Sequence, residues 1–382
     1  MSAPGVLENG LFRIGGGEKP PAGAKGTNVS DTAPFRRTET KRAGARSQPT
    51  NGRFTQAHDA MAKRVSIGII RNPRSHVNRK RDGGLPTPAG VDWTVQVAEP
   101  ESRSAIKEAV ADFARKGIEL LVIDGGDGSV RDVLSAGLEV FGEDWPALVP
   151  LPHGKTNALA IDLGLKRTAR LEDVVAAWRN ESFIQRQPLV VEAVEGSERG
   201  HIAAGFIVGA GAFTTGIRAA QDAHRMGAFG GLAVGATVLW GVGQIILGLG
   251  QSVWRRGVAM DLRLHPGNRP LPHEGPGSAE NRSLVLMTTL ERLPLGLRPF
   301  GKLRKGLKVL AIDEPHRRVF LSAPLVVAGK RPKWLDRLGL HQTEAEGVDM
   351  TIADAFILDG DLHPAGAYRI RKGPRLRFAV PR

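Results

Sequence analysis

An α/β unit followed by an antiparallel β unit is the fold class that this sequence predicts, and three observations predict it. Short apolar runs alternate with helix-spaced segments between Arg64 and Leu163. Beyond Pro188 the apolar runs recur without intervening helical spacing, separated by Gly, Pro and polar turns. Glycine-rich turns stand where the early strands end and helices begin. Alternation of the first kind builds a parallel sheet with helices on its faces, and recurrence of the second kind builds a β-sandwich.

The elements follow in order. Residues 1–62 are rich in Gly, Pro, Ser, Thr and basic side chains and lack apolar periodicity, so they read as a disordered basic leader. Met61 is a candidate start, and residues 1–20 lack the continuous apolar run of a signal peptide. Val65 to Ile70 is a buried strand closed by Asn72-Pro73. Val91 to Val97 alternates as a second strand. Ser104 to Lys116 is a helix with Ile106, Ala109, Val110 and Phe113 on one face, Ser102 or Ser104 as N-cap and Gly117 as its stop. Glu119 to Ile123 is a strand, Ser129 to Phe141 a helix, Ala147 to Leu151 a strand and Asn157 to Leu163 a helix. The unit is Rossmann-like over residues 63–187, and such sheets bind ligands at the loops leaving their strands' carboxyl ends. Residues 188–382 form the β-sandwich, with strands at Leu189–Val194, Ile202–Val208, Ala259–Leu264, Leu284–Thr289, Leu307–Ile312, Arg318–Leu321, Met350–Leu358, Tyr368–Ile370 and Leu376–Val380. A helical insertion at 218–254 interrupts it; Met226 to Trp254 carries no charged residue, long enough to span a bilayer but better read as a helix packed on the sandwich with an apolar face for lipid. The active site is expected in the cleft between the two units.

Composition narrows the chemistry. The chain has 382 residues and no cysteine, which excludes disulfides, thiolate catalysis and Cys-ligated zinc. A formal net charge of +14 implies an anionic partner. Aromatic residues make up only 5%, without the aromatic-basic interleaving that stacks bases, so no nucleic acid is expected.

Three motifs carry the functional reading. Gly125-Gly126-Asp127-Gly128-Ser129 lies between a strand and a helix. Its glycines allow a tight turn and close approach of a phosphate to backbone N–H groups, and the helix adds its positive end. Ser129 and Asp132 resemble a capping box. A plain strand-helix turn would need no carboxylate, whereas Asp127 among three glycines suits Mg²⁺, a donor or a substrate hydroxyl. Pro152-His153-Gly154-Lys155-Thr156-Asn157 ends like a phosphate-binding Gly-Lys-Thr loop. Val149 stands where the full pattern needs its first glycine, and two prolines remove N–H groups, so the P-loop reading fails. Lys155 and Thr156 remain able to touch phosphate, with Asn157 as a helix cap. Asp359-Gly360-Asp361 is the third, an acidic turn by itself.

In this order the motifs resemble the diacylglycerol kinase catalytic family, which includes sphingosine, ceramide and bacterial lipid kinases. Arg71-Asn72-Pro73-Arg74-Ser75 is similar to its Asn-Pro-x-Ser opening, Gly125–Ser129 to its Gly-Gly-Asp-Gly-Thr signature, and Pro152-x-Gly154 with Asn157 and Ala160 to its second loop. Gly209-Ala210-Gly211 resembles a later Gly-x-Gly turn, and Asp359-Gly360-Asp361 its terminal Asp-Gly-Glu. Departures are Lys155 for Thr or Ser, Ala158 for Asp, Phe213-Thr214 for Asp-Ala, Arg304-Lys305 for an acidic pair, and Asp361 for Glu.

The resemblance implies transfer of the ATP γ-phosphate to a lipid hydroxyl, with ATP and Mg²⁺ as cofactors. It implies Asp127 as base or Mg²⁺ ligand, and Asp361 as the second catalytic carboxylate. It places Asn72, Ser75, Gly125, Gly126, Gly128, Ser129, Gly154, Lys155, Thr156 and Asn157 around the nucleotide. The basic stretch holding Arg292, Arg298, Lys302, Arg304, Lys305 and Lys308 is a candidate contact for an anionic membrane surface, and Phe229 to Trp254 for acyl chains. The expected location is cytoplasmic, peripheral at the inner face of the membrane; a homodimer is compatible. Two rivals are a kinase of soluble substrates similar to NAD kinase, and a non-catalytic membrane- or nucleic-acid-binding protein on a kinase-like fold.

Overall fold

The computed structural model describes residues 64–80, 93–214, 257–275, 277–314, 317–330 and 332–381. They lie in one compact unit, Asp59–Arg382. The leader at 1–62 and the insertion at 218–254 fall outside the described residues.

The first sheet grows from alternating elements. β1 (Val65–Arg71), β2 (Trp93–Ala98), β3 (Leu120–Gly125) and β4 (Ala147–Pro152) run parallel. Of these, β3 and β4 are buried along their whole length, which is why they read as unbroken apolar runs. The helices are α1 (Arg103–Arg115), α2 (Asp127–Phe141), α3 (Ala158–Leu163) and α4 (Leu171–Arg179). Ser102 caps α1 by accepting from the Ala105 N–H at 3.1 Å, and Gly117 follows at φ 64°. The strand order is β2-β1-β3-β4-β19-β5, with β5 at Phe183–Arg186. The chain leaves β1 to one side and returns to β3 on the other, so the crevice at their carboxyl ends is a topological switch point.

The second part is a sandwich of two antiparallel sheets. One has the order β10-β9-β15-β18-β6-β7, with β11 also on β9; the other has β14-β13-β12-β8-β16-β17. Their main strands are β6 (Leu189–Gly196), β7 (Ile202–Gly205), β8 (Ile207–Gly211), β9 (Val258–His265), β12 (Leu284–Thr288), β13 (Leu307–Ile312), β14 (Leu340–Ala345), β15 (Gly347–Ile352), β16 (Phe356–Leu358), β17 (Asp361–His363) and β18 (Gly366–Lys372). β10 (Arg269–Pro270) and β11 (Asn281–Arg282) are two-residue pairings. Inward residues such as Val191, Leu262, Met350 and Ile370 meet Val208, Val285, Val309 and Phe356 in one core. Arg282, Asp313 and His341 form a buried polar network beside it, with Asp313 also accepting from the Gly275 N–H at 2.9 Å.

Three expectations are corrected here. Arg318–Leu321 is helical, inside α5 (Arg317–Leu321), and α6 (Ala323–Val327) follows it. Val319 of α5 and Val326 of α6 bury together with Phe300 and Leu335, and a four-residue apolar run is too short to tell a helical period from a strand's. The run 202–208 breaks at Phe206, where the chain passes from one sandwich sheet to the other. Leu376–Val380 does not extend the sandwich: β19 (Leu376–Ala379) returns to the first sheet between β4 and β5. Leu376 and Phe378 are buried there with Leu148 and Leu163.

Candidate active site

Three loops converge at the carboxyl ends of β1, β3 and β4. Their frame is polar and buried. Asp124, at the end of β3, accepts from Asn78 Nδ2 at 2.8 Å and from His153 Nδ1 at 2.5 Å, and its second oxygen lies 3.6 Å from Arg71 Nε. The Val77 N–H donates to the His153 carbonyl at 3.1 Å, and the His153 N–H to the Gly125 carbonyl at 3.1 Å. The loop after β1 is thereby tied to those after β3 and β4. The sequence reading assigned Asp124 and Asn78 no role and named His153 only as part of its loop; a carboxylate inside an otherwise apolar strand was the available signal.

The glycines of the signature turn serve different ends. A Cβ on Gly126 would lie 2.9 Å from the Gly154 Cα, and one on Gly154 would lie 2.5 Å from the Gly126 Cα. These two glycines exist so that the backbones of two loops can touch. A Cβ on Gly125 would collide with Ser129 Oγ. At Gly128 the nearest atom is the far end of Arg131, at 3.9 Å, so the space over the first turn of α2 is open. The N–H groups of that turn have no intrahelical acceptor. Gly126 is the N-cap of α2, and no side chain caps it. Ser129 is therefore inside the helix, and the expected capping box with Asp132 does not form. Ser129 instead accepts from Asn72 Nδ2 at 3.0 Å.

Asp127 opens α2 and reaches across to the second loop. Its Oδ1 accepts from the Ala158 N–H, the first of α3, at 2.7 Å. Burial pushes its carboxyl above the ordinary range, and the N–H groups of Ala158, Asn157 and Leu159 pull it back. Asn157 is buried with φ 55° and folds onto Gly154: Nδ2 donates to the Gly154 carbonyl at 2.9 Å, and Oδ1 accepts from the Gly154 N–H at 2.7 Å. Its side chain thus shapes the loop from within and makes no side-chain cap on α3. Lys155 and Thr156 project outward, exposed. Ser75 is buried, and its Oγ has no hydrogen-bond partner.

The acidic turn of the sandwich comes to the same place. Arg131 on α2 donates to the Asp359 carbonyl at 3.5 Å and lies 3.9 Å from Asp361. Arg103 on α1 donates to Asp361 Oδ2 at 2.6 Å and lies 3.2 Å from Asp132. Asp359, at φ 44°, accepts from the N–H groups of Phe206 at 2.8 Å and Ile207 at 2.9 Å. Burial raises its carboxyl to about 7; those N–H groups and Arg131 oppose the rise, and the charge of Asp127 adds to it. Asp127, Asp359 and Asp361 therefore share one electrostatic neighbourhood. Arg103 and Arg131 were missed in the sequence, and Asp359 was singled out only as part of the acidic turn, with the role given to Asp361. An arginine between Val130 and Val133 on an apolar helix face was the signal for Arg131, which the structure buries.

Beside this centre a cleft of about 230 Å³ is lined by Asn72, Arg74, Ser102, Arg103, Ser129 and Asp132, among others. Open space at Gly128, the unpartnered Ser75 hydroxyl and flanking arginines suit a nucleoside polyphosphate. The carboxylates supply hard oxygen donors suited to Mg²⁺.

Comparisons with known proteins bear on the family and the fold. Residues 69–185 match the diacylglycerol kinase catalytic domain family, so the resemblance carried by the motifs holds. Two structures of a candidate diacylglycerol kinase from Bacillus anthracis strain Sterne share the fold at a TM-score of 0.54 and 13% identity. They cover 83% of this chain and 96% and 97% of their own. A third structure from the same strain, a diacylglycerol kinase, gives 0.50 at 13% identity, covering 83% and 96%. No curated protein sequence matches the chain.

Proposed function

We propose that this chain, whose residues 69–185 match the diacylglycerol kinase catalytic domain, is an ATP-dependent lipid kinase that phosphorylates a lipid hydroxyl. The observation that carries the proposal is the meeting of three motifs far apart in sequence: Asp127 bonds the second loop at Ala158, and Arg131 joins its helix to the Asp359–Asp361 turn. The nucleotide-binding part is 63–187, completed by β19 (Leu376–Ala379), and the rest of 188–382 is the lipid-facing sandwich.

Asn72, Ser75, Gly125, Gly128 and Ser129 line the nucleotide side, with the α2 N-terminus facing phosphate. Gly126, Gly154 and Asn157 hold the two loops in register, and exposed Lys155 and Thr156 reach the outer phosphates. When bound, ATP supplies the phosphoryl group and Mg²⁺ offsets its charge. Asp127 is the metal ligand or base, and Asp361 the second carboxylate, held by Arg103. A carboxylate in this position takes the proton of the attacking hydroxyl.

Among the described residues no helix is long and apolar enough to cross a membrane. The proposed site of action is the cytoplasmic face of the membrane, reached by the basic stretch. Arg292, Arg298, Lys302, Arg304 and Lys305 are exposed. Lys308 is buried and donates to the Arg304 and Gly306 carbonyls at 3.2 and 3.3 Å, so it leaves the set of headgroup contacts.

The test is an assay with labelled ATP on total lipid extract, with diacylglycerol and NAD run alongside. Label in a lipid product that vanishes in Asp127→Asn supports the proposal. Label in NADP alone contradicts it.

A further inference from the structure

We infer that Glu198, His201 and His363 form a binding site for a zinc-class transition metal ion, separate from the proposed kinase centre. One ligand atom from each lies within 4.8 Å of the others. Glu198 and His201 stand in the turn between β6 and β7, and His363 ends β17. β7 is the edge strand of one sandwich sheet and β17 the edge strand of the other. An ion here would staple the two sheets edge to edge.

The donor set selects the ion. Two imidazoles and one carboxylate suit Zn²⁺, Co²⁺ or Ni²⁺, whereas Mg²⁺ and Ca²⁺ call for oxygen ligands throughout. Three protein ligands leave a fourth position to water.

The geometry is mostly in place beforehand. His363 is buried, and its ring stacks on Phe356 across the strand pair, with centroids 5.1 Å apart and an 18° interplanar angle. Its Nδ1–H donates to Glu198 Oε2 at 3.2 Å. His201 Nδ1 is 4.0 Å from the same carboxylate oxygen. Donors around one tetrahedral zinc stand ~3.4 Å apart at the usual bond lengths, so His201, on the exposed side, has only a small movement to make. Coordination at His363 Nδ1 moves the ring proton to Nε2, which is buried and has no hydrogen-bond partner. The turn itself is braced, since the Ala193 N–H donates to the His201 carbonyl at 2.9 Å and the His201 N–H to the Glu198 carbonyl at 2.8 Å.

The position gives the ion a consequence. Asp361 and His363 are alternate residues of one three-residue strand and share a face. An ion on His363 fixes the strand that presents Asp361.

The full chain, freed of metal with chelator, is titrated with ZnCl₂ and with MgCl₂, and in parallel with CoCl₂ followed by visible absorption. One equivalent of Zn²⁺ is expected, unaffected by excess Mg²⁺, with Co²⁺ giving the intense bands of a tetrahedral site. Affinity for Zn²⁺ falls by ~100-fold or more in His201→Ala, beyond the 10–100-fold typical of losing an outer-sphere partner. His201 is exposed, so this variant carries the test even where His363→Ala fails to fold; Glu198→Gln repeats it from the carboxylate side. Equal zinc binding in wild type and a folded His201→Ala, displacement of zinc by Mg²⁺, or no zinc bound by wild type would each overturn the assignment. The binding readout is independent of the lipid kinase proposal.

Discussion

Asp127 joins two duties that substitution can separate. Its Oδ1 holds the Ala158 N–H, and its charge is the proposed metal or base function. Asp127→Asn keeps a carbonyl oxygen for that N–H and loses the charge. The variant is expected to unfold near wild type while its turnover drops by roughly 10²-fold or more, the scale of a lost general base. Asp127→Ala loses the bond as well and costs about 1 kcal/mol further in denaturant unfolding. A second residue-scale prediction concerns Asp359. Its folded pKa, about 7, lies above that of an unfolded aspartate, so the native state holds the extra proton. Its contribution to stability is then fully present below the unfolded value, near 4, and is lost as pH rises through about 7. Thermal melts from pH 5 to 8 should show the wild type losing more stability than Asp359→Asn across that window. Parallel curves for the two proteins would contradict it. The sequence picked out this acidic turn but favoured Asp361, because the backbone donors of Phe206 and Ile207 that seat Asp359 come from the junction of β7 and β8, more than a hundred residues earlier.

At the scale of elements, the signature turn is a junction of two loops as much as a phosphate cradle. Gly126→Ala must push apart two backbones, an overpacking cost on the order of 1–3 kcal/mol, and should lower the melting temperature and the activity together. Gly128→Ala enters open space. It is expected to leave unfolding within about 0.5 kcal/mol of wild type while raising KM for ATP. Reversal of those two phenotypes would place the ligand elsewhere. A sequence shows Gly125, Gly126 and Gly128 with equal weight; only the approach of Gly154 tells packing from access. β3 and β4 were legible because burial on both faces leaves apolar runs. α5 was misread because five residues of Arg, Val, Phe and Leu fit strand and helix alike. The destination of β19 was illegible because pairing with β4 and β5 is non-local, and an apolar strand carries no label for its partner.

For the whole molecule, a charge of +14 becomes an argument once the side chains are placed. Exposed Arg298, Lys302 and Lys305 are expected to drive binding to anionic vesicles, and the triple charge reversal Arg298→Glu, Lys302→Glu, Lys305→Glu should weaken it in a salt-dependent way. Lys308→Met should leave vesicle binding unchanged, because burial removes that ammonium from the surface and pulls its pKa down to about 8. The central claim is that the Gly125–Ser129 turn, the 152–157 loop and the Asp359–Asp361 turn form one phosphoryl-transfer site. Incubation of the purified chain with labelled ATP, Mg²⁺ and total lipid extract, with mass spectrometry of the product, tests it most directly. A phosphorylated lipid formed by wild type and absent with a folded Asp127→Asn is the predicted result. No labelled lipid from any extract, or undiminished labelling by that variant, would contradict it.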